Sequence, residues 1–210
     1  MIKTYEKLSA FGTATLHEAM GRRGNLPSHL KPISPSMKLC GPAYTVKLKP
    51  FNNILLHQAY AYADPGQIII ADCQGGIDGG YWGDLLTLGA QQFGIKGLVI
   101  DGCVRDADEI DALNFPVFSR GLSVRGTGKD IEGSLNEPIT IGGVTIQPGD
   151  IIVGDRDGVV VVPKNEIEIT IEKAIAREEK EEFVRQELLK GKNSIEIYNW
   201  GEKYNIPTRK

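Results

Sequence analysis

"GGIDGGYWGDLLTLGAQQFGIKGLVIDGCVRD", residues 75–106, reads as four pieces in succession. A glycine-rich loop leads into a helix over about 80–93. "FGIKG" turns the chain, and the apolar, β-branched "LVID" forms a strand that stops on an acid. "GCVRD" then leaves that strand at its C-terminal end. A β–α–β passage of this kind brings the start of the helix and the end of the following strand to one edge of a sheet. Ligands of α/β proteins bind at that edge. First-turn amides of the helix, including those of Leu85 and Leu86, have no partners within it. With the helix dipole they can hold a carboxylate or phosphate. Arg105 and Asp106 stand beside this cradle.

Two readings of that pair stay open on spacing alone. Asp106 can hold a hard divalent cation whose other ligands are waters, with Arg105 stabilising an oxyanion that forms next to it. Equally, Asp106 can be the N-cap of a helix over 106–113, with Arg105 paired to a nearby acid.

Outward from this unit, further strands are expected at 43–48, 67–72, 150–155 and 158–163, rich in β-branched residues and bounded by Gly, Pro or Asp. Helices are expected at about 13–21, 53–63, 106–113 and, much longer, 165–190. In the last, Ile167, Ile171, Ala174, Ile175, Val184 and Leu188 recur at helical spacing. "PGQIIIAD" (65–72) is echoed by "PGDIIVGD" (148–155). In each, Pro-Gly turns the chain into a strand that ends on Asp. Their separation is too long for a solenoid repeat. Residues 120–150 are Gly-rich and predict loops and hairpins. No linker divides the chain, so residues 1–210 are expected to form a single domain.

Composition narrows the function classes. The 210 residues are 41% hydrophobic and 24% charged, with net charge −3, as in ordinary globular proteins. No basic face is indicated, which argues against nucleic acid as a partner. The apolar runs are too short to span a membrane, and "MIKTYEKLSAFG" does not resemble a signal peptide. Cys40, Cys73 and Cys103 are scattered and odd in number, which predicts buried, reduced thiols and a cytoplasmic protein. His17, His29 and His57 have no second His or Cys at ligand spacing, and His57 is expected to pack on a helix. Asp155 and Asp157 in "GDRDG" read as a turn between two strands. "REEKEE" at 177–182 reads, on its own, as a solvated helix face.

Several segments together resemble the RraA-like family along nearly the whole chain. They are "GPAYTVK" (41–47), "ADPGQIIIAD" (63–72), "WGDLL" (82–86), "GIKGLVIDGCVRDADE" (94–109), "FPVFSRGLSVRG" (115–126), "PGDIIVGDRDGVVVVP" (148–163) and "KEEFVRQELLKG" (180–191). Gly83, followed by Arg105-Asp106 and then Glu109, matches the signature of the family's aldolases. The resemblance implies an α/β fold, a swivelling β/β/α domain with a long C-terminal helix. It implies a class II aldolase that cleaves a 4-hydroxy-2-oxo acid such as 4-hydroxy-4-methyl-2-oxoglutarate to pyruvate, with oxaloacetate decarboxylation as a side activity. It also leaves open a regulator that binds an RNA-processing enzyme without catalysis.

The same resemblance implies the residue roles. Asp106 is the one direct protein ligand of Mg²⁺ or Mn²⁺, and Arg105 contacts the keto oxygen and stabilises the enolate. The amides of Leu85 and Leu86, after Gly83, bind the pyruvate carboxylate. Asp84 orders water, and Glu181, with Glu182 as the rival position, reaches into a neighbouring subunit's site. A homotrimer or a hexamer follows, with 165–210 packing on the neighbour. Arg120, Arg125 and Lys129 are candidates for a second substrate carboxylate. No Schiff-base lysine is required. A methyltransferase reading finds no support, because loop 75–83 lacks GxGxG.

Overall fold

The computed structural model describes residues 3–206. The first two and last four residues of the expected domain and its C-terminal extension therefore lie outside the described residues. A 3₁₀ helix (Thr4–Ala10) and α1 (Thr13–Ala19) precede a run of alternating elements. These are β1 (Lys31–Pro32), β2 (Leu39–Leu48), α2 (Ile54–Tyr62), β3 (Ile68–Asp72), α3 (Asp84–Gln92), β4 (Gly97–Val104), α4 (Ala107–Ala112) and β5 (Val117–Leu122). Then come β6 (Gly133–Leu135), β7 (Ile139–Ile141), β8 (Val144–Ile146), β9 (Ile151–Asp155) and β10 (Gly158–Val162). The chain ends in α5 (Ile167–Leu189), α6 (Ser194–Ile197) and α7 (Trp200–Tyr204).

The main sheet runs β1-β5-β4-β3-β2-β9-β10, with β6 added on β2. Strands β2 to β5 are parallel neighbours in chain order, each joined to the next by a helix. This is what the β–α–β reading of 75–106 requires. The echoed segments become β3 and β9, which lie on the two sides of β2, one parallel and one antiparallel. Both Pro-Gly turns place glycine in the left-handed region, Gly66 at φ 96° and Gly149 at φ 85°, where a β-carbon would be strained. The segment before β2 brings the sheet's ends together. Lys31 and Pro32 pair with β5, while Leu26 donates to the Val159 carbonyl and Val161 to that of Gly24. The result is a nearly closed, barrel-like sheet.

The large apolar core covers both faces of the parallel strands, with the consecutive pairs Ile69-Ile70 and Val99-Ile100 buried along with Phe118. A second core lies outside β9 and β10, where Ile151, Val153, Val160 and Val162 meet Leu8, Leu16, Met20, Ile171 and Ala174. Alternate residues of these strands enter alternate cores. That is why "GVVVV" is apolar throughout rather than alternating.

Several expected boundaries move. The helix expected from residue 80 begins at Asp84, because residues 80–82 run extended along the end of β4. Gly80 forms a bridge with Cys103, and Tyr81 donates to the Cys103 carbonyl at 3.0 Å. β2 begins at Leu39, four residues before the expected strand, to pair with β9. Residues 120–150 form β6 and the β7–β8 hairpin, whose two-residue Gly142-Gly143 loop has both φ values positive, as type I′ hairpins demand. In α5, Ile171 and Ala174 are buried as the spacing predicts, but Ile175 and Leu188 are exposed. No helix among the described residues is long and apolar enough to cross a membrane.

Candidate active site

The short extended strip 80–82 is what assembles the site. It lies alongside the end of β4, so Trp82 accepts a hydrogen bond from the Arg105 N–H at 2.9 Å. The start of α3 is thereby held against the Arg105-Asp106 step. The same strip explains the amide cradle. In a longer helix, the Leu85 and Leu86 amides would bond the carbonyls of Tyr81 and Trp82. Those carbonyls are already taken, by Asn53 Nδ2 at 2.7 Å and by the Arg105 N–H. The first-turn amides of α3 are left with the helix dipole behind them. Leu86 is buried, Leu85 is exposed and Asp84 is half-buried.

Asp106 stands at the N-cap position of α4, but its side chain does not cap that helix. It adopts φ 56°, ψ 44°, in the left-handed region, where a non-glycine residue is strained. In this conformation its carboxylate faces α3 instead. Oδ2 accepts a long hydrogen bond from the Asp84 N–H at 3.4 Å and lies 3.5 Å from Arg105 Nε. A β-carbon on Gly83 would overlap that carboxylate and approach Arg105 Cγ to 3.4 Å. Glycine at 83 therefore makes room for the carboxylate and for whatever the carboxylate holds. The cap reading is not what this geometry displays. The Asp106 side chain is about one-third exposed and spends no oxygen on α4, so it has lone pairs free for a hydrated hard cation. No group of three or more His, Cys, Asp or Glu side chains gathers at a possible metal site among the described residues. A metal site here would have one carboxylate as its protein ligand, with water completing the shell.

Arg105 lines two concavities. One, of about 390 Å³, is lined by Arg105, Asp106, Leu122, Ser123 and Val124. The other, of about 230 Å³, is lined by Gly83, Leu86, Arg105, Asn53, Thr127 and Lys129 among others. Of the three cations considered for a second carboxylate, only Lys129 lines either one. Arg120 is bound in a fork to buried Asp101, at 2.7 and 3.1 Å, and Arg125 lies 4.3 Å above the Phe51 ring. Lys129 Nζ reaches Asn53 Oδ1 at 2.5 Å and His57 Nε2 at 3.0 Å. Burial and, after it, the Arg105 charge pull the Lys129 ammonium below its ordinary pKa. Sequence reasoning missed Asn53 and gave His57 only a packing role. Both lie on or beside α2, more than 70 residues from Lys129, and only sheet topology joins them.

Glu181 is elsewhere in its own chain. It pairs with Arg177 at 2.9 Å and lines a separate acidic cavity with Thr15, Glu178, Glu182 and Arg185. Glu182 pairs instead with Arg185 and accepts from Gln186. Glu109 lies exposed on α4 and lines neither concavity beside Arg105. The three thiols are free. Cys73 is buried, whereas Cys40 and Cys103 are only partly so, against the expectation that all are buried.

The RraA-like family, described as Aldolase/RraA, matches residues 13–161. A relative from Halalkalibacterium halodurans, named "Putative 4-hydroxy-4-methyl-2-oxoglutarate aldolase", is 40% identical over 162 residues, 77% of each chain. Among solved structures, an uncharacterized protein from Pseudomonas syringae pv. tomato superposes with a TM-score of 0.82 at 31% identity, over 90% of both chains. Streptomyces coelicolor RraAS2, titled an unusual member of the RNase ES inhibitor RraA protein family, does so with 0.76 at 27% identity, over 87% of this chain and 95% of its own.

Proposed function

This chain belongs to the RraA-like family, and on that premise we propose that it is a divalent-metal-dependent class II aldolase. It cleaves a 4-hydroxy-2-oxo acid to pyruvate and a carbonyl compound. The observation that carries this reading is the Asp106 carboxylate, held in a strained backbone conformation, withheld from capping its own helix and set beside Arg105 and Gly83.

In this reading the α3 amides of Leu85 and Leu86 receive the substrate's 1-carboxylate, at the positive end of the helix. Arg105 donates to the 2-keto oxygen. A base takes the 4-hydroxyl proton, the C3–C4 bond breaks, C4 becomes a carbonyl and the electron pair enters the C2–C3 enolate. Arg105 gains most at that moment, because its charge is already in place when the oxygen becomes anionic. Protonation at C3 then gives pyruvate. Asp84 and, from a neighbouring subunit, Glu181 relay these protons through water. Mg²⁺ or Mn²⁺ held by Asp106 would supply Lewis-acid stabilisation of the same enolate. Oxaloacetate decarboxylation passes through that enolate and is expected as a second activity. The assembly is a homotrimer or a hexamer in which the C-terminal half of α5, which carries Glu181, packs on the next subunit. The protein is cytoplasmic, with no nucleic acid or membrane among its partners.

The test is pyruvate release from oxaloacetate and from 4-hydroxy-4-methyl-2-oxoglutarate, with Mg²⁺ and with EDTA. Turnover that EDTA abolishes and Mg²⁺ restores, and that Arg105→Ala lowers by at least about a hundredfold, supports the enzyme. Wild-type kcat in Arg105→Ala would sink it. The likeness to RraAS2 supports a second reading, a non-catalytic regulator of an RNA-processing enzyme. That reading requires no metal-dependent pyruvate release at all.

A further inference from the structure

Beside the Arg105 cavity lies a pair of nitrogen bases that the mechanism above does not use. We propose that His57 is a positioning residue for the cavity's second cation. Its neutral imidazole accepts a hydrogen bond from Lys129, holds that ammonium toward the substrate, and lets go when it gains a proton. The inference rests on the aldolase reading and adds a pH-dependent element to its binding site.

The geometry carries it. Lys129 belongs to the exposed stretch after β5, and its four-carbon stem would ordinarily leave the ammonium in solvent. Here Nζ is fixed at two points, Asn53 Oδ1 at 2.5 Å and His57 Nε2 at 3.0 Å. Asn53 is itself buried and anchored by its Nδ2 to the Tyr81 carbonyl. Its amide orientation is therefore set, and its oxygen is the end that faces Lys129. The surrounding backbone is stitched in the same place. Asn53 donates to the Gly128 carbonyl at 3.1 Å, and Gly128 donates to that of Phe51 at 2.7 Å. Lys129 thus joins Arg105 in lining one cavity.

An ammonium can only donate, so His57 must accept at Nε2 and carry its own proton on Nδ1. Imidazolium has no lone pair to accept with, and it would place a second positive charge 3.0 Å from Nζ. Among the described residues, Lys129 faces Asn53 and His57 from α2 and its N-cap, and Arg105 from the end of β4. His57 faces Lys129, with the Tyr60 ring tilted 6.4 Å away. No carboxylate appears in either set to offset the added charge. Burial and then the Lys129 charge already hold His57 below its ordinary pKa. The imidazole is therefore neutral, and the tether intact, at neutral pH. Acidification breaks it, and the mobile ammonium withdraws to solvent.

Two measurements on the Mg²⁺-loaded protein test this. The first is the pH dependence of KM and kcat for oxaloacetate from pH 8 down to 4.5, in wild type, His57→Gln and Lys129→Met. Losing one solvent-accessible hydrogen bond of ordinary net strength should raise the wild-type KM about fivefold across that range relative to His57→Gln. Gln accepts the same bond without titrating. kcat should move in parallel in both proteins. Lys129→Met should have a raised KM at every pH and no step of its own. The second is a histidine NMR titration, in which the His57 resonance should titrate at higher pH in Lys129→Met than in wild type. The proposal is overturned if His57→Gln keeps the wild-type KM profile, or if His57 titrates identically with and without the lysine. If no variant releases pyruvate, the aldolase reading falls. The NMR titration then still decides whether the two side chains are coupled.

Discussion

At residue scale, Asp106 is where local preference and the proposed use of the side chain pull apart. Asp is tolerated in the left-handed region better than most residues, yet the conformation still costs on the order of 1 kcal/mol. A capping bond would offset that cost, and none is made. Asp106→Gly should therefore fold at least as stably as wild type, gaining up to about 1 kcal/mol in urea denaturation, while losing metal-dependent pyruvate release altogether. Gly83→Ala runs the other way in geometry, since its methyl would press on the same carboxylate. It should lower kcat at least about tenfold, with secondary structure unchanged by circular dichroism. The Arg-Asp step was legible because two charges following a buried strand are conspicuous in sequence. The left-handed backbone at Asp106 and the commitment of Arg120 to Asp101 were not, because each depends on a partner the local sequence does not name.

At the scale of elements, the unit 75–106 was readable nearly throughout, since hydrophobic periodicity and glycine punctuation report local geometry. What failed were joints between elements. The "GDRDG" turn forms between β9 and β10 as expected, but Asp155 also serves a helix 142 residues away. Its Oδ2 accepts from the Thr13 N–H at 2.8 Å and its Oδ1 from the Thr13 hydroxyl at 2.7 Å, so it caps α1 from outside. Oδ1 also accepts from the Asp157 N–H at 2.9 Å. Burial alone would raise this carboxyl's pKa, but the Thr13, Asp157 and Gly158 hydrogen bonds outweigh it and hold the group below its usual value. A carboxyl whose folded pKa is depressed contributes stability above its unfolded pKa. It loses that stability as pH falls through the folded value. Asp155→Asn should accordingly be less stable than wild type at pH 7, by about 1–2 kcal/mol. The gap should narrow steadily as the pH is lowered through the acid range. Thermal melts of both proteins at matched pH values check this, and a gap that stays constant with pH would exclude it.

At the scale of the whole molecule, α5 supplies more apolar surface than one chain buries. Phe183 is 60% exposed and Leu189 75%, on the half of the helix that carries Glu181. Around the Arg105 site, Leu85 and Val124 are 78% and 97% exposed. These exposed side chains are the apolar surface that the proposed assembly would cover. Glu181 lines no cavity with Arg105 in its own chain, so the role proposed for it requires a second copy. The prediction is intersubunit complementation. Arg105→Ala and Glu181→Gln homo-oligomers should each be nearly inactive on oxaloacetate with Mg²⁺. Co-expressed in equal amounts, they should form mixed rings. In these, about one site in four pairs an intact Arg105 from one subunit with an intact Glu181 from its neighbour. Activity should recover to roughly that fraction of wild type, and a charge placed on the exposed apolar residues in the C-terminal half of α5, such as Phe183→Glu, should abolish the recovery along with the oligomer seen by sedimentation. A co-expressed mixture no more active than the two single variants would mean that each chain's site is completed without its neighbour's helix.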